Sequence, residues 1–235
     1  MSPTGSESRA APPEVHPMSL DEVWKAGTTW DEAFQHDPLV NYIRGRKQTY
    51  LRRAALKMTC RIIILLWRHN EYILSVEGGT SIIVAHLVGS KSPIGQTKDL
   101  LLKFVISLAT SSGTRLERKR SREAEEKMNK AAEEVLGDRV KEMVYVGLLA
   151  TSPKSQGHGY GSALLEEVTR ITDYYGQATW LKSSNIRNTD FYNSHGFLTV
   201  ATATIGDEDP DWQEGPVVVS IMVRQPAGRP ECQSK

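Results

Sequence analysis

Cysteine is nearly missing from this sequence of 235 residues, which contains only Cys60 and Cys232. Two cysteines, one of them in a polar C-terminal stretch, cannot form a disulfide framework, and they favour a reducing compartment. An excess of charge of either sign is missing too, since 29 Lys and Arg face 28 Asp and Glu. The formal net charge of +1 therefore gives no reason to expect a nucleic-acid partner or an anionic membrane surface.

Long apolar runs and targeting segments are also missing. The longest apolar run, residues 62–67, is far too short to span a bilayer. Residues 1–17 are rich in Ser, Pro, Glu and Ala, with neither the apolar core of a signal peptide nor the arginine bias of a transit peptide. The sequence therefore predicts a cytoplasmic protein, with the nucleus left open.

Length and composition suit one sizeable domain between two polar tails. We expect residues 1–17 to be disordered, because they cannot bury enough apolar surface to offset the entropy of ordering. Residues 18–225 then form a single domain, and residues 226–235 form a polar tail. Inside the domain, residues 90–139 are predicted to be a helical insertion, since Glu and Lys at i,i+4 spacing support a solvated helix over residues 115–136.

Hydrophobic periodicity predicts a long helix and then a hairpin in the first half. Residues 51–69 carry side chains that step by four and three positions, the spacing that keeps one helix face toward a core. Residues 72–76 and 82–88 have the pattern of strands, with Gly78-Gly79 as the turn between them. A short amphipathic helix is predicted over residues 98–109. The stepping positions of the long helix are Leu51, Ala55, Met58, Ile62, Leu65 and His69.

The second half of the sequence alternates strands and helices. Strands are predicted over residues 143–151 and 179–182 with a helix over 159–175 between them, and this order favours a parallel pair. The closing strands, residues 197–205 and 217–223, are joined by an acidic loop and favour an antiparallel hairpin. Together these elements predict an α/β fold with a central mixed sheet and helices on both faces.

A glycine-rich turn between the first of these strands and its helix carries the clearest chemical signal. Residues 149–165 read LATSPKSQGHGYGSALL, with Gly157, Gly159 and Gly161 at alternate positions. Glycines let several backbone N–H groups converge, and the helix N-terminus adds free donors and a positive dipole end, so the turn suits a diphosphate. The lysine of a P-loop is missing, and Ser162 stands where a dinucleotide-binding loop needs its third glycine.

Two motifs in this half resemble the GNAT superfamily of N-acetyltransferases. The family's acyl-coenzyme A loop has the form Q/R-x-x-G-x-G/A, which Gln156-Gly157-His158-Gly159-Tyr160-Gly161 matches. Its later motif, N…F/L-Y-x-x-x-G-F, is matched between Asn185 and Phe197. The second segment also fits a short helix capped by Gly196, and both interpretations hold together because the family uses that cap.

The resemblance is uneven along the chain. It covers residues 143–223 well and residues 32–87 loosely. Within the loosely covered part, residues 33–39 are similar to the N-terminal helix region of a fungal and bacterial subgroup with small-molecule or unknown substrates. The charged helices of the predicted insertion match no known pattern.

The resemblance implies acetyl-coenzyme A as the acyl donor and no metal. In the family, two parallel strands splay apart, the pantetheine arm pairs with the first strand, and the diphosphate takes the amides of residues 156–162. His158 departs from the family, which has Arg or Lys there, so a permanent charge beside the phosphates is lost. The residues that would bind the cofactor are Leu149, Ala150, Thr151, Gln156, Gly157, His158, Gly159, Tyr160, Gly161, Ser162, Asn185, Asn188 and Tyr192.

The resemblance also implies direct attack of an amine on the thioester, with no covalent enzyme intermediate. The Leu149 backbone N–H would stabilise the oxyanion, and Tyr192 would donate a proton to the leaving thiolate. A tyrosine that only anchors its short helix is the alternative. The general base is not identified, because Tyr145, Gly147 and Leu149 are predicted to share one strand face that carries no carboxylate.

Three residues are candidates for the acceptor site: His86, Tyr145 and Trp212. A structural role is the alternative for His86. Trp212 lies in the acidic loop of residues 206–215, whose carboxylates would favour a cationic amine unless the loop is simply solvated.

A small-molecule primary amine is the expected acceptor, for a monomer or homodimer without a nucleic-acid or membrane partner. A protein lysine or chain N-terminus is the first alternative acceptor. A catalytically silent acyl-coenzyme A binder is the second alternative function. The sequence does not size the acyl pocket, so acyl groups longer than acetyl are left open as well.

Overall fold

Seven strands of the described residues form one mixed sheet. In the computed structural model, the described residues are 12–45, 48–68, 71–88 and 113–228. The strands are β1 (His16–Pro17), β2 (Tyr72–Val76), β3 (Ser81–His86), β4 (Val144–Thr151), β5 (Thr179–Ser183), β6 (Leu198–Ile205) and β7 (Val217–Arg224). Their order is β1-β2-β3-β4-β5-β7-β6. All neighbours are antiparallel except β4 and β5, so the predicted mixed sheet with one parallel pair is confirmed.

Helices cover both faces of this sheet, as predicted. Within the described ranges they are α1 (Val23–Ala33), α2 (Pro38–Arg44), α3 (Tyr50–Trp67), α4 (Arg115–Leu136), α5 (Tyr160–Tyr175) and α6 (Thr189–Ser194). On one face, α5 and α6 enclose a core that includes Leu164, Phe197 and Met222. On the other face, α1 and α3 cover β2 to β4, while α2 and α4 cover β6 and β7. None of the helices in this part of the chain is long and apolar enough to cross a membrane.

The buried face of α3 differs from the face that the sequence predicts. Ile64 is fully buried, whereas Ile62 and Leu65, which were predicted to face the core, are each 39% exposed. The cause is the close approach of α1. A Cβ atom at Gly27 would lie 2.4 Å from Cγ of Arg61, so α1 packs against a neighbouring side of α3 rather than along the predicted stripe.

The N-terminal boundary of the domain also differs from the prediction. His16 lies opposite Ser75 in the β1–β2 ladder, so the sheet begins inside residues 1–17, and the predicted tail ends before His16. The predicted helix over residues 115–136 is present as α4 and starts with a capping box. The predicted helix over residues 98–109 and His69 lie outside the described residues.

Strand β4 contains a β-bulge at Gly147. Val84 of β3 lies opposite Leu148, but the next residue, Ala85, lies opposite Val146. Gly147 is therefore an extra residue on β4, which bends the strand and reverses the alternation of its side chains at that point.

The bulge corrects the prediction that Tyr145, Gly147 and Leu149 share one face. Leu149 packs with the core under α5 and α6. Tyr145 lies on the opposite face, where its ring stacks on the ring of His86 at 5.5 Å. The sequence pattern assumes a regular period of two, and one inserted residue shifts every side chain that follows it.

The parallel pair separates soon after it forms. Its ladder runs from Val144 opposite Thr179 to Val146 opposite Leu181. Strand β4 continues to Thr151, and β5 continues to Ser183, without further pairing between them. Two strand edges therefore face each other across a gap in the middle of the sheet.

The C-terminal end of α5 is tied to β7 by a two-pronged ion pair. Arg224 donates from Nη1 and Nη2 to the two carboxylate oxygens of Asp173 at 2.6 and 2.7 Å. The backbone N–H of Ala227 donates to the same carboxylate at 2.8 Å. The Arg224 guanidinium holds the pKa of Asp173 below its ordinary value.

We expect Asp173→Asn to lower the free energy of unfolding by about 1–2 kcal/mol at pH 7, because charge-assisted hydrogen bonds are lost. A lowered native pKa means that this stabilisation is present above the unfolded-state pKa and disappears as the pH falls through the native pKa. Urea unfolding at pH 7 and near pH 3 should therefore show a smaller difference from wild type at the lower pH. Glu167→Gln, in the more exposed pair with Arg170, is the control. An equal loss at both pH values would contradict the assignment.

Candidate functional site

A cleft of about 720 Å³ opens where β4 and β5 have separated. Its walls are the end of β4, the glycine-rich turn, the first turn of α5, the segment before and within α6, and the end of α1 with the residues that follow it. The lining includes every residue assigned to the cofactor from the sequence except His158. The structure thus brings together residues of two motifs that are about thirty positions apart in the sequence.

The glycine-rich turn presents backbone rather than side chains to this cleft. Gly157 and Gly159 have φ angles of +81° and +78°, which side-chain-bearing residues rarely adopt. A Cβ atom at either position would meet nothing within 4 Å, so both glycines border open space. The turn therefore leaves room for a group that approaches the backbone closely.

The first turn of α5 supplies unpaired donors at the same place. Gly159 is the N-cap residue, and no side chain caps the helix. Ala163 is the first residue whose N–H reaches the Gly159 carbonyl, at 2.9 Å. The amides before it, Tyr160 to Ser162, lack intrahelical acceptors and sit at the positive end of the helix dipole. This arrangement can bind an anion such as a diphosphate.

Side chains of the turn hold its shape. Gln156 donates from Nε2 to the carbonyl of Thr151 at 3.3 Å, which closes the turn onto the end of β4. His158 contacts the Gln156 carbonyl through Nδ1 at 3.0 Å, and its side chain is exposed. Of the residues assigned to the cofactor, His158 is the one that the structure does not place in the cleft, because its ring folds back on the turn.

The unpaired edge of β4 directs backbone N–H groups into the gap. Ser152 donates its N–H to the Thr80 carbonyl at 2.9 Å, on the β3 side. N–H directions alternate along a strand, so the N–H groups of Leu149 and Thr151 point away from β3. On that side the ladder with β5 has already ended at Val146. These two donors are therefore open to a ligand in the cleft.

Tyr192 lines the cleft, is buried, and has an unused hydroxyl. The residue is 9% exposed, and its ring packs on Phe191 and Phe197 at centroid distances of 5.2 and 6.0 Å. Its hydroxyl makes no hydrogen bond to any group in the described ranges. Burial raises the pKa of Tyr192 to about 12, so the hydroxyl is protonated and available as a donor at neutral pH.

Asn185 and Asn188 flank the opening opposite the glycine-rich turn. Asn185 accepts from the backbone N–H of Arg187 at 3.1 Å through Oδ1, and its carbonyl accepts from the N–H of Asn188 at 3.0 Å. These bonds build the short turn that leads from β5 to α6. The side-chain amide N–H groups of Asn185 are left for a ligand.

A second, smaller cleft of about 350 Å³ adjoins the first. The two share His36, Asn185 and Arg187. The outer wall of the second cleft comes from the β6–β7 loop, including Trp212 and Glu214. Trp212, predicted from the sequence as an acceptor residue, is thus next to the cofactor residues in space.

His86 and Tyr145, the other two acceptor candidates, line neither cleft. They pair at the start of β4, away from its open end, because β3 runs antiparallel to β4. Nδ1 of His86 lies 2.8 Å from the Glu71 carboxylate. Tyr145 is enclosed between the rings of His86 and Trp180. In this structure both rings belong to an aromatic cluster beneath α3 and α4.

The acidic loop is not simply solvated, because two of its carboxylates are paired with side chains of α4. Asp207 pairs with Lys127 at 2.5 Å, and the buried Asp209 pairs with Arg120 at 2.7 Å. Lys127 and Arg120 are both residues of α4. Burial alone would raise the pKa of Asp209, but hydrogen bonds from Arg120 and the Asp211 N–H hold it below its ordinary value. The carboxylates of Asp207 and Asp209 thus attach the loop to α4.

Several lining residues were not assigned from the sequence. Glu32, His36 and Asp37 come from the end of α1 and the start of α2, more than a hundred residues before the glycine-rich turn. Asp37 caps α2 and accepts a hydrogen bond from Ser184 at 2.6 Å, which fixes this corner against the end of β5. The similarity of residues 33–39 to a family helix region was the available signal. Among the described residues, no group of three or more His, Cys, Asp or Glu side chains could hold a metal ion.

Part of the sequence matches a known family. The family model for the acetyltransferase (GNAT) domain matches residues 124–198, which include the end of β4, the glycine-rich turn and α6. An uncharacterised N-acetyltransferase of Schizosaccharomyces pombe is 28% identical over 99 residues, which is 42% of this chain. The match spans 38% of that relative's own length.

Solved structures share the fold over most of the chain. Histone acetyltransferase HPA2 and related acetyltransferase from Corynebacterium glutamicum has a TM-score of 0.59 at 19% identity, covering 92% of this chain and 98% of its own. Polyamine N-acetyltransferase of Drosophila melanogaster, which forms N-acetylagmatine, has a TM-score of 0.52 at 14% identity, covering 90% and 100%. At these identities the similarity shows the fold.

Proposed function

We propose that this chain, whose residues 124–198 match the acetyltransferase (GNAT) domain, is a member of the GNAT superfamily. On that premise it transfers an acetyl group from acetyl-coenzyme A to a primary amine of a small molecule. One observation carries the proposal. The uncapped N-terminus of α5, the open edge of β4 and the buried Tyr192 border the same cleft. A ligand with an anionic end, an extended amide-containing arm and a thioester fits these features in that order.

The cofactor takes two sets of backbone donors. The diphosphate occupies the N–H groups from Gly157 to Ser162, where the glycines leave space and the helix dipole favours negative charge. The pantetheine arm runs along β4 and pairs with the N–H groups of Leu149 and Thr151, in place of the missing strand. Backbone donors supply most of this binding, so a histidine at position 158 instead of Arg or Lys is tolerated.

The reaction forms a C–N bond and breaks a C–S bond. A neutral amine attacks the thioester carbon, and the developing oxyanion accepts a hydrogen bond from the Leu149 N–H. The amine nitrogen of the tetrahedral intermediate loses its extra proton to water, and the intermediate expels the thiolate. Tyr192 donates a hydrogen bond to this thiolate, or donates its proton and regains one from water. Free thiols have a pKa of about 8.5. Burial raises the pKa of Tyr192 above this value, so a hydrogen bond to the departing thiolate asks less of the tyrosine than full proton transfer does.

The acceptor enters through the second cleft. This cleft shares His36, Asn185 and Arg187 with the cofactor cleft, so an amine placed there is next to the proposed thioester position. Structural neighbours are named for both histone and polyamine substrates, so the fold does not choose between them. A volume of about 350 Å³ favours a small molecule that is held whole. A protein lysine or N-terminus is the second candidate acceptor.

We assign this activity to one catalytic domain. It starts at β1 and extends to residue 225, with residues 90–139 inserted between β3 and β4. The inserted segment supplies α4, which packs on β6 and β7 and contacts the β6–β7 loop.

Thiol release from acetyl-coenzyme A tests the function. We expect turnover with at least one member of a panel of polyamines, arylalkylamines, amino acids and aminoglycosides, and an increase in Tm with acetyl-coenzyme A alone. Peptides with free lysines and free N-termini form the parallel panel. Turnover with peptides only would favour a protein acetyltransferase. A Tm increase without turnover on either panel would favour a silent acyl-coenzyme A binder.

A further inference from the structure

We propose that Arg120, on α4, is a positioning residue that holds Trp212 in place as a wall of the acceptor cleft. The inference rests on the proposed function, which makes the second cleft the acceptor site. Arg120 itself lines neither cleft and lies before residues 124–198, which the family model matches. Arg120 belongs to the predicted inserted segment, outside the residues that the family model matches.

Arg120 is buried, and its guanidinium contacts three residues: Asp209, Tyr42 and Trp212. It is 6% exposed. Its Nε donates to the Asp209 carboxylate at 2.7 Å, and its Nη1 donates to the Tyr42 carbonyl at 3.0 Å. The guanidinium carbon lies 4.8 Å from the centre of the Tyr42 ring and 5.5 Å from that of Trp212. One side chain thus joins α4, α2 and the β6–β7 loop.

Hydrogen bonds to Asp209, the ion-pair partner of Arg120, organise the β6–β7 loop. The Asp209 carbonyl accepts from the N–H of Trp212 at 3.1 Å, and the Asp209 carboxylate accepts from the N–H of Asp211 at 3.1 Å. Trp212 closes the loop by donating from Nε1 to the Gly215 carbonyl at 2.5 Å. Movement of Asp209 would therefore move Trp212 with it.

Close packing leaves the Trp212 ring little freedom on its inner side. The Tyr42 and Trp212 rings meet edge to face at 5.2 Å. A Cβ atom at Gly206 would lie 2.7 Å from Cε2 of Tyr42 and 3.2 Å from Cδ1 of Trp212. Glu123 of α4 accepts hydrogen bonds from the Tyr42 hydroxyl and the Gly206 N–H. The Trp212 ring is thus fixed against Tyr42, and Trp212 is also a lining residue of the second cleft.

Loss of the Arg120 charge would leave the Asp209 carboxylate buried without its main partner, which is unfavourable. Asp209 lies in a connecting loop, so the loop can move outward and rehydrate the carboxylate. The wall formed by Trp212 would then open. Trp212 does not line the cofactor cleft, so acetyl-coenzyme A binding should not change.

The main test is Arg120→Met with the amine identified by the panel. We expect the KM for the amine to rise at least tenfold, kcat to change less than threefold, and the Kd of acetyl-coenzyme A to stay within twofold. Arg120→Lys keeps the charge, so its KM for the amine should lie between those of wild type and Arg120→Met. Arg122→Met removes an exposed arginine from the same helix and is the matched control. Equal effects of Arg120→Met and Arg122→Met would overturn the proposal.

A double-mutant cycle with Trp212→Ala separates positioning from a general loss of structure. Trp212 is only half-buried and lies in a connecting loop, so we expect Trp212→Ala to fold. If Arg120 acts through Trp212, then Arg120→Lys raises the amine KM in wild type but not in the Trp212→Ala background. Additive increases in KM would count against the proposal.

Hydrogen exchange of residues 206–216 gives a readout that needs no activity. We expect the amides of this loop to exchange at least tenfold faster in Arg120→Met than in wild type. The increase should be smaller in Arg120→Lys, and the rate should not change in Arg122→Met. Faster exchange with no amine turned over by the wild-type protein would mean that the proposed function fails while the positioning of the loop stands. Unchanged exchange in the Arg120 variants would refute the positioning role.

Discussion

Tyr192→Phe is expected to lower kcat at least tenfold while the Kd of acetyl-coenzyme A changes less than twofold. A positioned general acid contributes roughly 10²- to 10⁴-fold to a rate. The hydroxyl makes no hydrogen bond to the described residues, so its removal leaves no buried partner unsatisfied. We therefore expect Tm to stay the same or to rise. Steady-state kinetics, calorimetric titration and thermal unfolding on the same preparation measure the three quantities.

The pH dependence sharpens this prediction. Because the pKa of Tyr192 is raised to about 12, its ionisation should not lower kcat at any pH below about 11. Tyr72→Phe is the control, since Tyr72 packs against the same core but does not line the cleft. A kcat for Tyr192→Phe equal to that of the control would leave Tyr192 as a structural residue of α6.

Gly159→Ala is expected to weaken acetyl-coenzyme A binding at least tenfold. The left-handed backbone of Gly159, with φ of +78°, costs an alanine roughly 1–2 kcal/mol. The new methyl group would also project into open space of the cleft, where the diphosphate is proposed to lie against the backbone. Calorimetric titration with acetyl-coenzyme A and with coenzyme A gives the two affinities directly.

Gly176→Ala is the matched control at the other end of α5. Gly176 also has a positive φ, of +65°, and a Cβ atom there also meets nothing within 4 Å. Both variants should therefore lose a similar few degrees of Tm, since a domain of this size loses about 2–4 °C for each kcal/mol. Only Gly159→Ala should lose cofactor affinity. If both variants bind acetyl-coenzyme A equally well, the diphosphate does not sit at this helix N-terminus.

Local patterns in the sequence predicted the elements around the cleft. The change from a strand-like run to alternate glycines to an amphipathic helix fixes β4, the turn and α5, because each signal lies within a few residues. The order strand, helix, strand predicts that β4 and β5 are parallel, and the order of strands around an acidic loop predicts the β6–β7 hairpin. These parts of the fold depend on neighbours in the sequence.

Contacts between distant residues account for what the sequence did not predict. The bulge at Gly147 appears only in the register with β3, which lies about sixty residues earlier. The buried side of α3 depends on how closely Gly27 lets α1 approach. The sequence predicts Arg120 to lie on a solvated helix, and its burial depends on Asp209, 89 positions away. No periodicity within one segment carries such information.

The early end of the β4–β5 ladder also bears on how the protein avoids aggregation. A sheet normally has two edges, and natural proteins protect them because an exposed edge can pair with a strand of another molecule. The separation after Val146 adds two inner edges, near Leu149 on β4 and near Lys182 on β5. A bound pantetheine arm would occupy the first of these edges. We therefore expect the ligand-free protein to be the form that self-associates on storage, and saturation with coenzyme A to suppress it.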